Sequence, residues 1–284
     1  MATWTARHKA DRAARSTKHA GRRAANSPAM RWLARAGLAA RGIMYIIIGW
    51  IAVQVAFHRS GQQADRTGAL HAVSATPAGG VLLWLLVIGF AGMALWRLSE
   101  AIYRSPGSSG RKTSTRWAAL AKAVIYAVIS YSVLRYALGA GAPQSSDKES
   151  VDLTATLMKH PGGRALVIVI GLAVVAGGIY LAYQAWRKEF RRDLQLGQLG
   201  VPGRRIVEWL GEFGGIARGI VFITAGIFLV VAAGEARPQQ AKGIDSSLRA
   251  LSSTPLGPWL LVGVAIGLIM FGVFSFCEAK WARL

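Results

Sequence analysis

Residues 77–101 have the sequence PAGGVLLWLLVIGFAGMALWRLSEA, in which a proline and a glycine precede a long apolar run that ends in Glu-Ala. The same plan recurs without a gap as PGGRALVIVIGLAVVAGGIYLAYQA in residues 161–185 and PLGPWLLVGVAIGLIMFGVFSFCEA in residues 255–279. About 20 apolar residues are enough to cross the hydrocarbon core of a bilayer as a helix. The three segments therefore predict three membrane helices of one repeated type.

Three further apolar stretches precede these segments, so the sequence predicts six membrane helices. Hydrophobic residues make up 53% of the chain and charged residues only 17%, which is typical of a membrane protein rather than of a soluble domain. No segment alternates polar and apolar residues as a barrel strand does. The predicted fold class is an all-α membrane protein with helices at residues 37–57, 79–101, 117–138, 163–185, 214–233 and 257–277.

The odd-numbered helices also share a motif. In AARGIMY, LAKAVIY and IARGIVF a basic residue, which is Arg41, Lys122 or Arg218, precedes an aromatic residue by four positions. Each repeat has two spans, so all three copies enter the membrane in the same direction. We place the repeats at residues 31–104, 115–189 and 207–284 and expect a pseudo-threefold bundle. Three hairpins without a shared axis are the alternative.

The net charge of +21 is unevenly distributed along the chain. If the N-terminus is cytoplasmic, that side carries 25 of the 34 Lys and Arg residues and 7 of the 13 acidic residues. Such an excess of basic residues is typical of the cytoplasmic side of a membrane protein. We therefore expect both termini in the cytoplasm. The Arg-rich tail at residues 1–30 is predicted to be disordered and to bind anionic lipid or only to fix orientation; binding to nucleic acid is not expected.

A short polar or amphipathic segment precedes each shared proline: TGALHAVSAT, VDLTATLMKH and GIDSSLRALSST. In the third, Asp245 or Ser246 is suited to cap a helix that ends before Pro255. We predict three short helices at the outer membrane surface that close the top of the bundle. Small residues at helical spacing, such as Gly211, Gly215 and Gly219, are expected to pack neighbouring helices within the chain rather than to form a dimer.

Charged and amide residues recur at the cytoplasmic ends of the predicted spans. Ionisable groups at membrane depth usually pair and often mark a site. One hypothesis is a charged ring that faces the bundle axis and binds a lipid head group or a small anion. The other is a structural clamp within each hairpin, which pairs the basic residue of one helix with the acidic or amide residue of the next. The six residues, in these pairs, are Arg41 with Glu100, Lys122 with Gln184, and Arg218 with Glu278.

No enzymatic constellation is found in the sequence. The five histidines lack metal-ligand spacing, and neither a phosphate-binding glycine loop nor a GxSxG nucleophile motif occurs. The single cysteine, Cys277, excludes an intrachain disulfide. We therefore expect no catalytic activity, no cofactor and no metal.

The AARGIMY and ARGIVF stretches, the Pro-Gly pairs and the terminal Glu-Ala pairs resemble a family of bacterial membrane proteins known as domain of unknown function 1206. The resemblance covers nearly the whole chain after Met30. It implies tandem two-helix repeats in a bacterial inner membrane and supplies no activity. The middle repeat departs from the pattern at Lys122 and Gln184.

Two classes of function remain open from the sequence. The first is an accessory or structural membrane protein that binds anionic lipid or a membrane-protein partner at its basic cytoplasmic face. The second is a small transporter or channel that uses the pseudo-threefold axis. Few polar residues lie at the predicted midplane to line such a path, which favours the first class.

Overall fold

The computed structural model describes residues 27–57, 63–103, 114–141, 145–252 and 257–282. Most of the predicted disordered tail thus lies outside the described residues. Within the described residues the structure is helical, with a single isolated bridge between Leu194 and Ala282. The α-helices there are α1 (Pro28–Ala56), α2 (Arg66–Ser74), α3 (Gly79–Tyr103), α4 (Ser114–Ala137), α5 (Ser146–Met158), α6 (Gly163–Trp186), α7 (Val201–Gly234), α8 (Ile244–Ser252) and α9 (Gly257–Trp281). Three short 3-10 helices span Glu189–Asp193, Leu196–Gln198 and Pro238–Gln240.

Six of the described helices, α1, α3, α4, α6, α7 and α9, are long and apolar enough to cross a membrane. The prediction of six membrane helices is confirmed, and the chain is a multi-pass membrane protein. Two helices begin well before the predicted spans, α1 at Pro28 and α7 at Val201. Each has proline in its first turn, where the missing N–H costs nothing and the fixed φ favours a helix. These first turns carry charged residues, so apolarity alone did not reveal them.

The second helix of each repeat packs most extensively on the first helix of another repeat. These pairs are α3 with α4, α6 with α7, and α9 with α1. The two helices of one hairpin also touch in repeats one and three, as α1 with α3 and α7 with α9. Among the described residues, α4 and α6 of the middle repeat make no extended contact. The pairwise contacts therefore order the six helices as α4, α3, α1, α9, α7 and α6, and the two end helices of this order make no extended contact.

Glycines set the close approach of α9 to α1 and of α6 to α7. A Cβ added at Gly42 would lie 2.8 Å from the Gly272 carbonyl oxygen, and one at Gly272 would lie 2.7 Å from that of Gly42. In the same way, a Cβ added at Gly178 would lie 2.8 Å from the Gly219 carbonyl oxygen, and one at Gly219 would lie 2.7 Å from that of Gly178. Close backbone contact of this kind gives helices in lipid a packing interface that apolar side chains alone do not specify. We call these two contacts the first and third glycine seams.

The pair α3 and α4 makes the corresponding contact without glycine. Ser130 follows Lys122 by eight positions, and at the same distance Gly49 follows Arg41 and Gly226 follows Arg218. Ser130 takes the place of this glycine, and its buried hydroxyl donates to the Val87 carbonyl oxygen at 3.1 Å. A hydrogen bond therefore joins the middle pair of helices where close backbone packing joins the others.

The glycines singled out from the sequence do pack within the chain. A Cβ at Gly215 would lie 2.5 Å from the Ala185 Cβ, and Gly211 and Gly219 are similarly crowded by neighbouring helices. Gly263, another glycine at helical spacing, is different, because no atom of the described residues lies within 4 Å of a Cβ built there. The recurrence of glycine thus marks contact at most but not all of these positions.

The short helices α2, α5 and α8 meet at one end of the bundle, which we call the cap end. Buried Asp65 accepts hydrogen bonds from the Ser146 amide and hydroxyl at 2.8 and 2.9 Å. Asp147 accepts from the amide and hydroxyl of Ser246 at 3.2 and 2.5 Å. Asp245 accepts from the amide that precedes Asp65, at 2.7 Å. Because helix N-termini expose unpaired donors and partial positive charge, these three carboxylates link the three repeats in a closed circle.

Candidate functional site

The opposite end of the bundle, where α1, α4 and α7 begin and α3, α6 and α9 end, is the charged end. Here Arg41 of α1 forms an ion pair with Glu278 of α9, and its Nε donates to Ser275 Oγ at 3.1 Å. The two charged side chains are only 12% and 22% exposed. The pair joins repeat one to repeat three. The predicted clamp between Arg41 and Glu100 of one hairpin is therefore wrong, since the helix that packs most closely beside Arg41 belongs to another repeat.

Glu100 of α3 is engaged within its own helix. Its carboxylate accepts from Arg97 at 2.8 Å, and the Arg97 guanidinium lies 4.2 Å from the centroid of the Trp96 ring. Lys122 of α4 lies within electrostatic reach of Arg97, Glu100 and Arg218. Within the part of the chain that the structure describes, Lys122 forms no ion pair.

Gln184 of α6 donates to Tyr180 Oη at 2.8 Å and to the Glu189 carboxylate at 3.2 Å. The predicted contact between Gln184 and Lys122 does not form, because α4 and α6 do not pack together. Arg218 and Glu278 are also not paired, since Glu278 is taken by Arg41.

Arg218 of α7 is surrounded by aromatic rings. Its guanidinium carbon lies 5.1 Å from the ring centroid of Phe271, 5.6 Å from that of Phe222 and 5.9 Å from that of Tyr45. Its Nε is buried without a hydrogen-bond partner, and the described residues place no carboxylate in ion-pair contact with it. Cation–π contacts stabilise a guanidinium but leave its N–H donors unsatisfied. Arg218 therefore retains donors for a further ligand.

The register of the two glycine seams explains why Arg218 lacks a carboxylate. Arg41 and Arg218 directly precede the first glycine of each seam, and residues 278 and 184 both follow the second glycine by six positions. The residue at the position of Glu278 in the third seam is Gln184. An amide there carries no charge, so the basic residue across the seam stays uncompensated.

Three further residues belong to the charged end and were missed as site residues. Tyr126 lies within electrostatic reach of Arg41, Arg218 and Arg97, so it lies among the cations of the charged end. The sequence shows an aromatic residue four positions after the basic residue in each repeat. It does not show which neighbouring helix the Tyr126 side chain faces. Arg97 also lacked a signal, because it has no counterpart in the other repeats.

The third missed residue is Asp193, which the 3-10 helix between α6 and α7 brings to the charged end. It lies within electrostatic reach of Glu278, Arg97 and Glu100. Part of its side chain reaches the surface, yet the surrounding protein displaces water and, with Glu278, raises the pKa of Asp193 above its ordinary value. Asp193 lies between two membrane helices and outside their helical register, so a helix-based pattern could not predict its position.

Other basic residues near the loop between α6 and α7 are neutralised by α7. Lys188 pairs with Glu212 at 2.9 Å, and Glu208 binds both Arg191 and Arg204. Lys122 lies within electrostatic reach of Glu100 and Asp193, whereas the described residues place no carboxylate in ion-pair contact with Arg218. Lys122 and Arg218 also lie within electrostatic reach of each other. Two cations held close together are suited to bind an anion such as phosphate.

The thiol and carboxylate side chains of the described residues bear on metal binding. Among these residues no group of three or more His, Cys, Asp or Glu side chains could hold a metal ion. Cys277 is a free thiol of intermediate burial. The described side chains of the charged end supply positive charge and hydrogen-bond donors.

Comparison with known proteins agrees with the repeat architecture. A model of the family described as Domain of Unknown Function (DUF1206) matches three successive segments, residues 36–104, 118–188 and 213–282. "Uncharacterized protein YxxB" of Bacillus subtilis (strain 168) is 29% identical over 259 residues, which cover 90% of this chain and 93% of that protein. No solved structure matches the chain. Since the three matched segments together cover most of its length, the chain belongs to the DUF1206 family.

Proposed function

We propose that this protein is a non-enzymatic accessory protein of a bacterial inner membrane and that it binds the head group of an anionic lipid at its charged end. The observation that carries the proposal is Arg218, a guanidinium held among three aromatic rings without a carboxylate partner in the described structure. Nucleic acid is not a proposed partner. A membrane-protein partner that presents an acidic group to Arg218 is the alternative occupant, and the experiment below separates the two.

Arg218 lies well within the membrane helix α7. A charged residue within a membrane helix costs up to about 3 kcal/mol on insertion scales, so such residues usually pair. Arg41 meets this cost through Glu278. Arg218 has no such partner and lies near a second cation, Lys122. A lipid phosphate would satisfy both charges, and its oxygens match the planar fork of the guanidinium.

The proposed orientation places the charged end and both termini in the cytoplasm. The excess of Lys and Arg in the segments joined to this end supports that orientation, since basic residues accumulate on the cytoplasmic side. In this orientation the charged end faces the leaflet that is rich in anionic lipid. The Arg-rich N-terminal segment would add a further, non-specific attraction to the same surface.

We also propose that the three repeats are arranged around a pseudo-threefold axis. Two kinds of contact support this arrangement. The helix pairs α3–α4, α6–α7 and α9–α1 join successive repeats in turn, and the aspartates of the cap end do the same. Such a ring brings the three basic positions of the odd helices to one end of the bundle.

A transport function is the weaker proposal, because the bundle interior is packed with apolar side chains. Residues from all three repeats contribute to this core, and its largest fully buried members include Ile51, Leu86, Val133, Leu248 and Leu268. Alternating access normally relies on polar groups or broken helices near the membrane midplane. The packed core favours a structural role with lipid bound at the end of the bundle.

The test is lipid retention measured by native mass spectrometry after purification in mild detergent. We expect the wild-type protein to retain phosphatidylglycerol in preference to phosphatidylcholine, and Arg218→Gln to lose about 90% of the retained phosphatidylglycerol. Arg237→Gln is the control, because it removes one positive charge from an exposed residue near the cap end. Equal retention by both variants would overturn the proposal. Retention of a protein in place of lipid, lost in Arg218→Gln, would favour the membrane-protein partner.

A further inference from the structure

A cavity of about 310 Å³ lies between α6 and α7, beneath the start of α5. Apolar residues line its membrane-spanning part, namely Val174 of α6 and Val221, Phe222 and Ala225 of α7. Its volume is at the lower end of the range for ligand pockets. The cavity therefore has the size and the lining for part of an apolar ligand rather than for a polar metabolite.

The cavity lies beside α6, which makes no extended contact with α4 among the described residues. Its wall is made by α5, α6, α7 and the start of α8, and no described residue of α4 belongs to its lining. The missing contact between α4 and α6 thus offers a route from the surrounding lipid to the cavity. An acyl chain can enter by this route without crossing the packed core.

One aromatic ring connects the cavity with the cation at the charged end. Phe222 lines the cavity, and its ring centroid lies 5.6 Å from the Arg218 guanidinium carbon. Arg218 and Ala225 are two turns apart on α7, which corresponds to about 10 Å along the helix. A lipid phosphate at Arg218 would thus place the first carbons of its chain beside Phe222 and the later ones in the cavity.

The other end of the cavity is unsuited to an anionic group. Glu149 lines it there and pairs with Arg66 at 3.2 Å, while the Ser146 hydroxyl is bonded to buried Asp65. The cavity thus runs from an uncompensated cation to an acidic end that is already satisfied. This charge distribution fixes the direction of a lipid, with its phosphate at Arg218 and its chain toward α5.

We propose that the cavity between α6 and α7 holds one acyl chain of the lipid whose head group binds Arg218. The inference rests on the proposed function and adds a requirement for chain length. A chain that fills the cavity gains van der Waals contacts with its lining that a shorter chain does not make, so the longer chain should bind more tightly. The protein should therefore distinguish anionic lipids by chain as well as by head group.

The experiment compares dioctanoyl and dioleoyl phosphatidylglycerol as competitors for a fluorescent long-chain phosphatidylglycerol on the purified full chain. Val174→Trp fills the cavity, and Val169→Trp is the matched control on α6, since Val169 is 61% exposed and lies outside the lining. We expect Val174→Trp to weaken binding of the dioleoyl lipid at least tenfold and to leave the dioctanoyl lipid within twofold. Val169→Trp should change neither.

Ala225→Phe fills the cavity from the opposite wall and gives a second variant if Val174→Trp does not fold. Arg218→Gln separates the two proposals. If both cavity variants keep the wild-type preference for the dioleoyl lipid while Arg218→Gln weakens both lipids, the chain site is overturned and the head-group site stands. If Arg218→Gln binds both lipids as the wild type does, the proposed function itself fails.

Discussion

The first and third glycine seams share the same backbone geometry but differ in whether the arginine beside them is neutralised. In each, reciprocal glycine contacts bring an odd and an even helix together, and an arginine directly precedes the first glycine. Across the first seam Glu278 neutralises Arg41, whereas across the third the equivalent residue is Gln184 and Arg218 remains uncompensated. Small residues thus set the helix spacing independently of the charges. We propose that this single amide in place of a carboxylate leaves Arg218 free to bind a ligand, whereas Arg41 serves as a structural clamp.

The largest expected effect comes from removing the carboxylate of the first seam. Glu278→Gln leaves Arg41 buried without an opposite charge and should lower the free energy of unfolding by about 3 kcal/mol, as is found when one partner of a buried pair is removed. Thermal unfolding in detergent, followed by circular dichroism, measures the loss as a lower Tm.

Arg218→Gln is the control for this loss of stability, because none of the described carboxylates forms an ion pair with Arg218. Its stability should change by less than about 1 kcal/mol. The double variant Arg41→Gln/Glu278→Gln should be more stable than the sum of the two single losses predicts. Additive losses would show that the two side chains do not act as a pair.

A smaller effect should be shared by both seams. Gly42→Ala and Gly219→Ala each place a Cβ less than 3 Å from a backbone carbonyl oxygen of the facing helix. We expect each to cost about 1–3 kcal/mol, as overpacking typically does. Urea or thermal unfolding of the two variants should give similar losses.

Gly263→Ala provides the matched control for the seams. A Cβ at Gly263 meets nothing within 4 Å, so alanine should be neutral or stabilising because of its greater helix propensity. If the alanine variant at 263 loses as much stability as those at 42 and 219, close packing is not what the seam glycines provide.

The smallest expected effect concerns pH. Because the pKa of Asp193 is raised, the folded state favours the protonated form of this side chain. The contribution of protonated Asp193 to the free energy of unfolding is therefore fully present below about pH 4 and is lost as the pH rises through the folded-state pKa. Asp193→Asn removes this dependence. The variant should match the wild type in stability near pH 4 and exceed it at pH 7 by no more than about 0.5 kcal/mol. A variant that is less stable than the wild type at pH 7 would contradict the assigned direction.

Much of the fold was predictable because membrane helices leave strong sequence signals. The length of the apolar stretches predicted all six spans, and α3 and α6 begin two residues after the shared prolines, at Gly79 and Gly163. The short cap-end helices were also predicted, as segments before those prolines. The early starts of α1 and α7 were missed because their first turns are too polar for a rule based on apolar length.

The charged end was predicted as a set of residues but not as a set of contacts. Repetition marked Arg41, Lys122 and Arg218, whereas partner choice depends on which repeats are adjacent in space. The repeat pattern predicts pairs within a hairpin, whereas the ion pair of Arg41 crosses between repeats. Asp193 and the cavity beside Val174 depend on loop position and on the missing contact between α4 and α6, neither of which a repeat pattern contains.

The most direct test of the central claim adds the missing carboxylate to the third seam. Gln184→Glu should neutralise Arg218 as Glu278 neutralises Arg41, and the affinity for phosphatidylglycerol should fall about tenfold, to the level of Arg218→Gln. The measurement is a titration of phosphatidylglycerol into the purified protein, read by native mass spectrometry, with the variants compared at equal lipid concentration. Wild-type affinity in Gln184→Glu, with the fold intact, would contradict the claim that an uncompensated Arg218 is the lipid-binding group.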